Sequence, residues 1–293
     1  MSETNFWQSD TNFWKIENGR IVTLEYGTKT IAETSKYTPV GAYTSFRTYD
    51  SFGVLRLTKH LDRLEETAKL AGFTIKLDRG SLIETLIALL AVSRSEEKKI
   101  RITIDLEKNI GDIYIAMEPL KVPAPEKYAQ GILCRTAEAH RDNPKAKLSN
   151  FLSRAENIRG QEQGEFDEIL MFTAEGNLLE GLSSNFYGII GDTICTAEEG
   201  VLSGTTRDFV LKIAEKLNIP VKLQPVKLRD IDQLDEAFIT STSRGVLPIR
   251  MIDGISMKKG APGPVTKKLS DEFAAELSSG IENLLYWEEP ERS

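Results

Sequence analysis

Cysteine and histidine are scarce in this 293-residue chain, with two of each: Cys134, Cys195, His60 and His140. The cysteines have neither metal-type nor redox-type spacing, so no disulfide framework organises the fold. Two histidines give a His-based zinc site or a Ser-His-Asp triad little material, and no metal site is expected. No apolar run reaches membrane-spanning length. The opening MSETNFWQSDTNFW carries neither a basic n-region nor an apolar h-region, so the expectation is a cytoplasmic protein. Basic charge is also short, with 37 Lys and Arg against 44 Asp and Glu for a net charge of −7. That balance argues against nucleic acid or an anionic membrane as a bulk partner, while a local cationic pocket for phosphate stays open. Internal repeats of domain size and low-complexity tracts are absent.

What is there is an ordinary globular composition, 40% hydrophobic and 28% charged, long enough for one large or two moderate domains. Near the start Thr4-Asn5-Phe6-Trp7 recurs as Thr11-Asn12-Phe13-Trp14. Leaving two Phe and two Trp in water is unfavourable, so at least one copy is expected to pack against the body or a partner subunit. Strand-like runs occupy 19–55. Leu57, Leu61, Leu64, Ala68 and Ala71 have helical spacing that stops at Gly72, and a second helix is predicted over 80–93. KKIRITIDLE and DIYIAMEPL read as a hairpin. The resulting expectation is α+β in two domains: a small domain over 1–120, a Pro-containing linker over 121–128, and a larger domain over 129–293. In the second part a helix is predicted over 149–163 and strands at EFDEILMFT, NLLEGLSSNFYGII, VKLQPVKL and AFITSTS. A helix from 205 and a C-terminal amphipathic helix with Pro264 near its first turn complete it.

The most informative stretch is 176–208, GNLLEGLSSNFYGIIGDTICTAEEGVLSGTTRD. Gly204-Thr205-Thr206 opening a helix presents backbone N–H groups and a positive dipole end, which suits a phosphate. By itself that feature is equally an ordinary helix cap. LEGLSSNFYGI followed by LSGTTRD, however, resembles the signature of the class IV (fold type IV) pyridoxal-phosphate aminotransferases. That family includes branched-chain and D-amino-acid aminotransferases and aminodeoxychorismate lyase. The resemblance covers nearly the whole chain and is strongest over 140–270. It implies a D-amino-acid aminotransferase-like fold with the cofactor, pyridoxal 5′-phosphate, in the interdomain cleft, and a homodimer.

Such an enzyme needs a lysine for a Schiff base, a carboxylate facing the pyridine nitrogen, a phosphate cup and a substrate pocket. In HRDNPKAKLSNFL the resemblance puts Lys147 at the reactive position, three residues before Asn150-Phe151-Leu152, with Lys145 the rival; on composition alone both read as solvated loop lysines. Glu180 takes the carboxylate role, although alone it reads as a strand-end surface residue. The resemblance adds Ser184, Asn185, Leu202, Thr205, Thr206 and Thr242 around the cofactor. Arg63, in His60-Leu61-Asp62-Arg63-Leu64, matches the family's H-x-x-R-L, where the fork of an arginine holds phosphate. On spacing alone Arg63 makes an i,i+3 pair with Glu66. Tyr43, Arg47, Arg101, Ser243 and Arg244 fall where relatives contact substrate, and each arginine could clamp a carboxylate.

Two departures leave the substrate class open. Lys99 replaces the Tyr of the Tyr-x-Arg pair of branched-chain enzymes, and Asp105-Leu106-Glu107 stands where D-amino-acid enzymes carry Arg-Gly. The implied function is transamination between an amino acid or primary amine and a 2-keto acid, with small-molecule partners. The alternatives are a pyruvate-releasing lyase using the same lysine and glutamate, and a non-catalytic relative of the fold.

Overall fold

The computed structural model describes residues 12–17, 19–92 and 97–289. The first Thr-Asn-Phe-Trp copy lies outside them. The chain divides into two compact units, one of Met1–Lys121, Ala146–Ser153 and Gly280–Ser293, the other of Val122–Lys145 and Arg154–Ser279. The first break falls beside the linker expected at 121–128. The return of 146–153 and 280–293 to the first unit had no counterpart in the sequence pattern.

The first unit contains β1 (Asn12–Glu17), β2 (Arg20–Thr23), α1 (Ile31–Thr34), β3 (Gly41–Arg47), β4 (Gly53–Leu55), α2 (Leu57–Leu70), α3 (Arg79–Ala91), β5 (Lys98–Asp105) and β6 (Ile113–Pro119). Five of the strands form an antiparallel sheet in the order β2-β1-β6-β5-β3. Period-two alternation decides which side chains enter the core. Ala42 and Phe46 on β3, with Ile100, Ile102 and Ile104 on β5, pack with Leu57, Leu61 and Leu64 of α2 and Leu82 and Leu86 of α3. The intervening positions Tyr43, Ser45, Arg47, Lys99, Arg101 and Thr103 are left to the other face. The second Phe-Trp copy is buried as expected: Trp14 joins the main core and Phe13 a smaller cluster with Ile31 and Tyr114.

The second unit opens with α4 (Pro125–Gln130), where Pro125 supplies a preset φ in the first turn, so the expected linker ends in a short helix. It continues with β7 (Ile132–Glu138), α5 (Asn150–Gln161, from Arg154 onward in this unit), β8 (Glu168–Phe172), β9 (Leu178–Gly181), β10 (Ser184–Ile190), β11 (Thr193–Cys195), α6 (Thr205–Lys216), β12 (Val221–Lys222), β13 (Glu236–Ser241), β14 (Gly245–Ile252), β15 (Ile255–Ser256) and α7 (Pro264–Glu276). The strand predicted over VKLQPVKL is confined to Val221–Lys222, because Pro225 has no N–H to continue a ladder. The sheet runs β12-β11-β10-β13-β14-β7-β8-β9, and β9 pairs again with β10, closing six strands into a ring. Helices α6 and α7 meet through Phe209 and Phe273, edge to face with centroids 5.5 Å apart.

Candidate active site

In the first unit the lysine segment is added to the edge of β3. The Tyr43 N–H donates to the Lys147 carbonyl at 2.9 Å, and the Ser149 N–H to the Gly41 carbonyl at 2.9 Å. The Gly41 N–H donates to Ser149 Oγ, and the Lys147 N–H to Thr67 Oγ1 at 3.2 Å. Both backbone groups of Lys147 are thus engaged, and its Nζ lies 5.1 Å from the Tyr43 ring centroid. Lys145 is exposed. Thr67 is one helical turn beyond Arg63 on α2; its part in seating the lysine was not read from the sequence.

His60 is fully buried, its Nδ1 2.7 Å from Thr44 Oγ1 and its ring packed on Phe46. Burial, then the charges of Arg63, Lys147 and Arg56, hold it well below the ordinary histidine range, so it is neutral. His60 is a packing residue of α2. Burial likewise pushes the Arg63 guanidinium down to about 10, against the opposing pulls of Glu66 and Tyr43, and it stays cationic at neutral pH.

In the second unit Glu180, Asn185 and Thr240 stand in a row across β9, β10 and β13. Glu180 is 2% exposed. Its carboxylate accepts from Arg141 Nε at 2.6 Å, Asn185 Nδ2 at 3.0 Å and the Leu202 N–H at 3.0 Å. Asn185 Nδ2 also donates to the Leu202 carbonyl at 2.8 Å. Glu180 therefore reads as an anchored buried anion, and the surface reading falls away. Arg141, its charge partner, was missed in the sequence. The available signal was physical: a buried carboxylate requires a counter-charge, and the polar stretch before Lys147 holds one.

Beyond Leu202, α6 begins at Gly204 with no side chain capping its N-terminus. Thr205 and Thr206 are buried, yet their hydroxyls find no hydrogen-bond partner among the described residues. Buried donors without partners are costly, so two hydroxyls beside a helix N-terminus fit a phosphate monoester. Glycine is required at 204, because a Cβ there would stand 2.2 Å from Asn185 Oδ1. Thr242 and Ser243 lie in the turn joining β13 to β14, half-buried.

The remaining sequence candidates have partners of their own. Arg47 pairs with Glu97 and lies over the Tyr49 ring. Arg101 Nη1 donates to the Ile31 carbonyl and Ser35 Oγ at the end of α1, with its guanidinium 5.5 Å from the Tyr43 centroid. Ser184 Oγ donates to Glu168 Oε2 at 3.0 Å, and Arg244 Nη2 donates to the same oxygen at 2.9 Å. Burial pushes the Glu168 carboxyl up, but Arg244, then Arg159 and Ser183, outweigh it and hold it below the usual carboxylate range.

A seated lysine in one unit, and in the other an anchored carboxylate beside a phosphate-type helix start, are the equipment of a pyridoxal-phosphate enzyme. Residues 41–252 match the family described as Amino-transferase class IV. A Methanocaldococcus jannaschii protein provisionally named a branched-chain-amino-acid aminotransferase is 28% identical over 254 residues, covering 80% of this chain and 85% of its own. The Pseudomonas aeruginosa branched-chain-amino-acid aminotransferase is 26% identical over 290 residues, covering 92% and 94%. The structure of the Thermoproteus uzoniensis branched-chain aminotransferase with norvaline has a TM-score of 0.74 at 24% identity, covering 93% of this chain and 99% of that one. The chain belongs to the class IV aminotransferases. It is a transaminase of the pyridoxal-phosphate-dependent kind.

Proposed function

We propose that the chain transfers the amino group of a branched-chain or similar apolar amino acid to a 2-keto acid, with Lys147 as the catalytic base and Glu180 as the carboxylate opposite the pyridine nitrogen. The observation that carries the apolar donor is the state of the candidate arginines. Arg47 is given to Glu97, Arg101 to the Ile31 carbonyl and Ser35 Oγ, and Arg244 to Glu168. The Tyr43 ring lies beside Lys147 Nζ, its centroid 5.1 Å away. The names of the relatives point the same way, and they favour transfer over pyruvate elimination. Lys99, where branched-chain enzymes carry Tyr, pairs with Glu118 at 3.1 Å.

When bound, pyridoxal phosphate supplies a carbonyl that takes up an amino group and a ring that draws off the electrons of the breaking Cα–H bond. The chain supplies the rest. Thr205, Thr206, Thr242 and Arg63 would hold the phosphate. The Lys147 amine takes the Cα proton and returns it on the other side of the reaction as acid. Glu180, fixed by Arg141, Asn185 and the Leu202 N–H, would keep a proton on the ring nitrogen. Ser184 and Asn185 open β10 directly after the turn that follows Glu180. A homodimer and a cytoplasmic location belong to the same reading, and light scattering at twice the chain mass tests the first.

The deciding measurement is the visible spectrum of the protein with pyridoxal phosphate, titrated with L-leucine, L-glutamate, D-alanine, D-glutamate and (R)-1-phenylethylamine in turn. The expected result is a yellow band that Lys147→Ala abolishes and that L-leucine bleaches most readily. A band that only a D-amino acid or the amine bleaches would overturn the donor. A band that none bleaches, with pyruvate released from aminodeoxychorismate, would overturn transamination.

A further inference from the structure

Among the described residues, Glu168 is a heavily partnered carboxylate that the transfer chemistry leaves unused. It is at 0% exposure at the start of β8. It accepts from Arg244 Nη2 at 2.9 Å, Ser183 Oγ at 2.9 Å, Ser184 Oγ at 3.0 Å, the Ile169 N–H at 3.1 Å and Arg159 Nη2 at 3.4 Å. Ser183 and Ser184 belong to the β9–β10 turn, between Glu180 and Asn185. Arg244 belongs to the β13–β14 turn that carries Thr242 and Ser243. From there its Nε donates to Ser241 Oγ at 2.9 Å, while Nη2 also reaches Ser183 Oγ at 2.9 Å and the Ser183 carbonyl at 3.2 Å. Gly181 makes room for this: a Cβ there would stand 3.0 Å from Glu168 Cδ and 2.2 Å from Ser184 Oγ.

We infer that Arg244 and Glu168 form a clasp that fixes these two turns to each other, so that Arg244 is a positioning residue and not a clamp for a substrate carboxylate. The geometry separates the two roles. One guanidinium nitrogen serves the carboxylate and both oxygens of Ser183, and the anion it meets is fully buried. Such an arginine is held by the protein before any substrate arrives. Fixing the turns keeps Glu180 and Asn185 in register with Thr242 and Ser243. The consequence for the enzyme rests on the reading under Proposed function; the clasp itself does not.

The test compares Glu168→Gln, Arg244→Met, the milder Arg244→Lys, and the Glu168→Gln/Arg244→Met double variant. Amide hydrogen exchange is read first, on the full chain without cofactor. Both single variants are expected to speed exchange at 182–185 and at 241–245 together, with the double variant close to either single one. Unchanged protection of 241–245 in Glu168→Gln overturns the clasp, whatever the enzyme does. Cofactor release after dilution and steady-state kinetics follow. Each single variant is expected to release cofactor at least about threefold faster, the small end of couplings between contacting residues. Each should also lower kcat equally for leucine and for glutamate, with Arg244→Lys in between. If Arg244→Met raises KM for glutamate alone while Glu168→Gln leaves it unchanged, Arg244 is a substrate clamp and the inference fails. Failure of the wild-type protein to bind cofactor would strike the functional reading and leave the exchange result to judge the clasp.

Discussion

Arg141 and Glu180 expose 6% and 2% of their side chains, and the N–O distance between them is 2.6 Å. Two charges withdrawn that far from water recover their hydration cost only through each other and through further hydrogen bonds. Removing one leaves the other buried and uncompensated. Arg141→Met is therefore expected to cost about 3–5 kcal/mol of stability, read from urea unfolding, with activity lost in proportion to folded protein or more. Glu180→Gln keeps an amide oxygen for the Leu202 N–H. It is expected to retain the lysine-dependent yellow band while kcat falls by at least about a hundredfold, roughly 2.7 kcal/mol of barrier. A kcat within threefold of wild type would sink the role given to Glu180. At this scale the sequence singles out a residue where a motif surrounds it, as around Lys147 and Glu180. It was silent on Arg141, Thr67 and Glu168, whose importance comes from partners distant in the chain. Arg141 is 39 residues from Glu180 and Arg244 is 76 from Glu168, and no local spacing encodes such pairs.

The helices and hairpins were far easier to read than the contacts. The α2 stripe Leu57, Leu61, Leu64 and Ala68 packs as its spacing predicts, and KKIRITID pairs with IYIAMEP as the expected hairpin. The closure of β9 onto β10 was not legible, because strand pattern fixes which face is buried and says nothing about which strand lies beside which. The start of α6 joins both kinds of information. Its Gly204 has φ −65°, open to any residue, so the need for glycine is purely one of space against Asn185. Gly191 is the opposite case, with φ +62° and nothing near its missing Cβ. Gly191→Ala is expected to cost about 1–2 kcal/mol from the left-handed backbone alone and to leave cofactor release unchanged. Gly204→Ala is expected to displace Asn185 and speed cofactor release several-fold, even if its melting temperature falls no further than that of Gly191→Ala. Equal release rates in the two variants would show that the approach of Gly204 to Asn185 does not matter to the site.

For the molecule as a whole, two buried groups held below their ordinary values, His60 and Glu168, make it sensitive to acid. His60 is neutral in the folded chain, held down first by burial and then by Arg63, Lys147 and Arg56. An unfolded chain protonates this ring near its ordinary value of 6.5, so below that value the unfolded state holds the extra proton and folding stability falls. The slope from one such group is at most about 1.4 kcal/mol per pH unit. Glu168 acts in the same sense lower down. Its folded carboxyl is displaced below the ordinary 4.5, so its contribution is complete above that value and drains away as pH falls toward the folded one. Neither group adds slope between about pH 7 and 8. Urea midpoints from about pH 5 to 8 are thus expected to be flat on the neutral side and to decline below about 6.5. His60→Gln, which keeps a side-chain amide for Thr44 and cannot titrate, should flatten the decline between about pH 5 and 6.5. A profile for His60→Gln that runs parallel to wild type across the whole range would assign the upper decline to other groups. In that case His60 is no more than a neutral packing residue whose proton the folding equilibrium never sees.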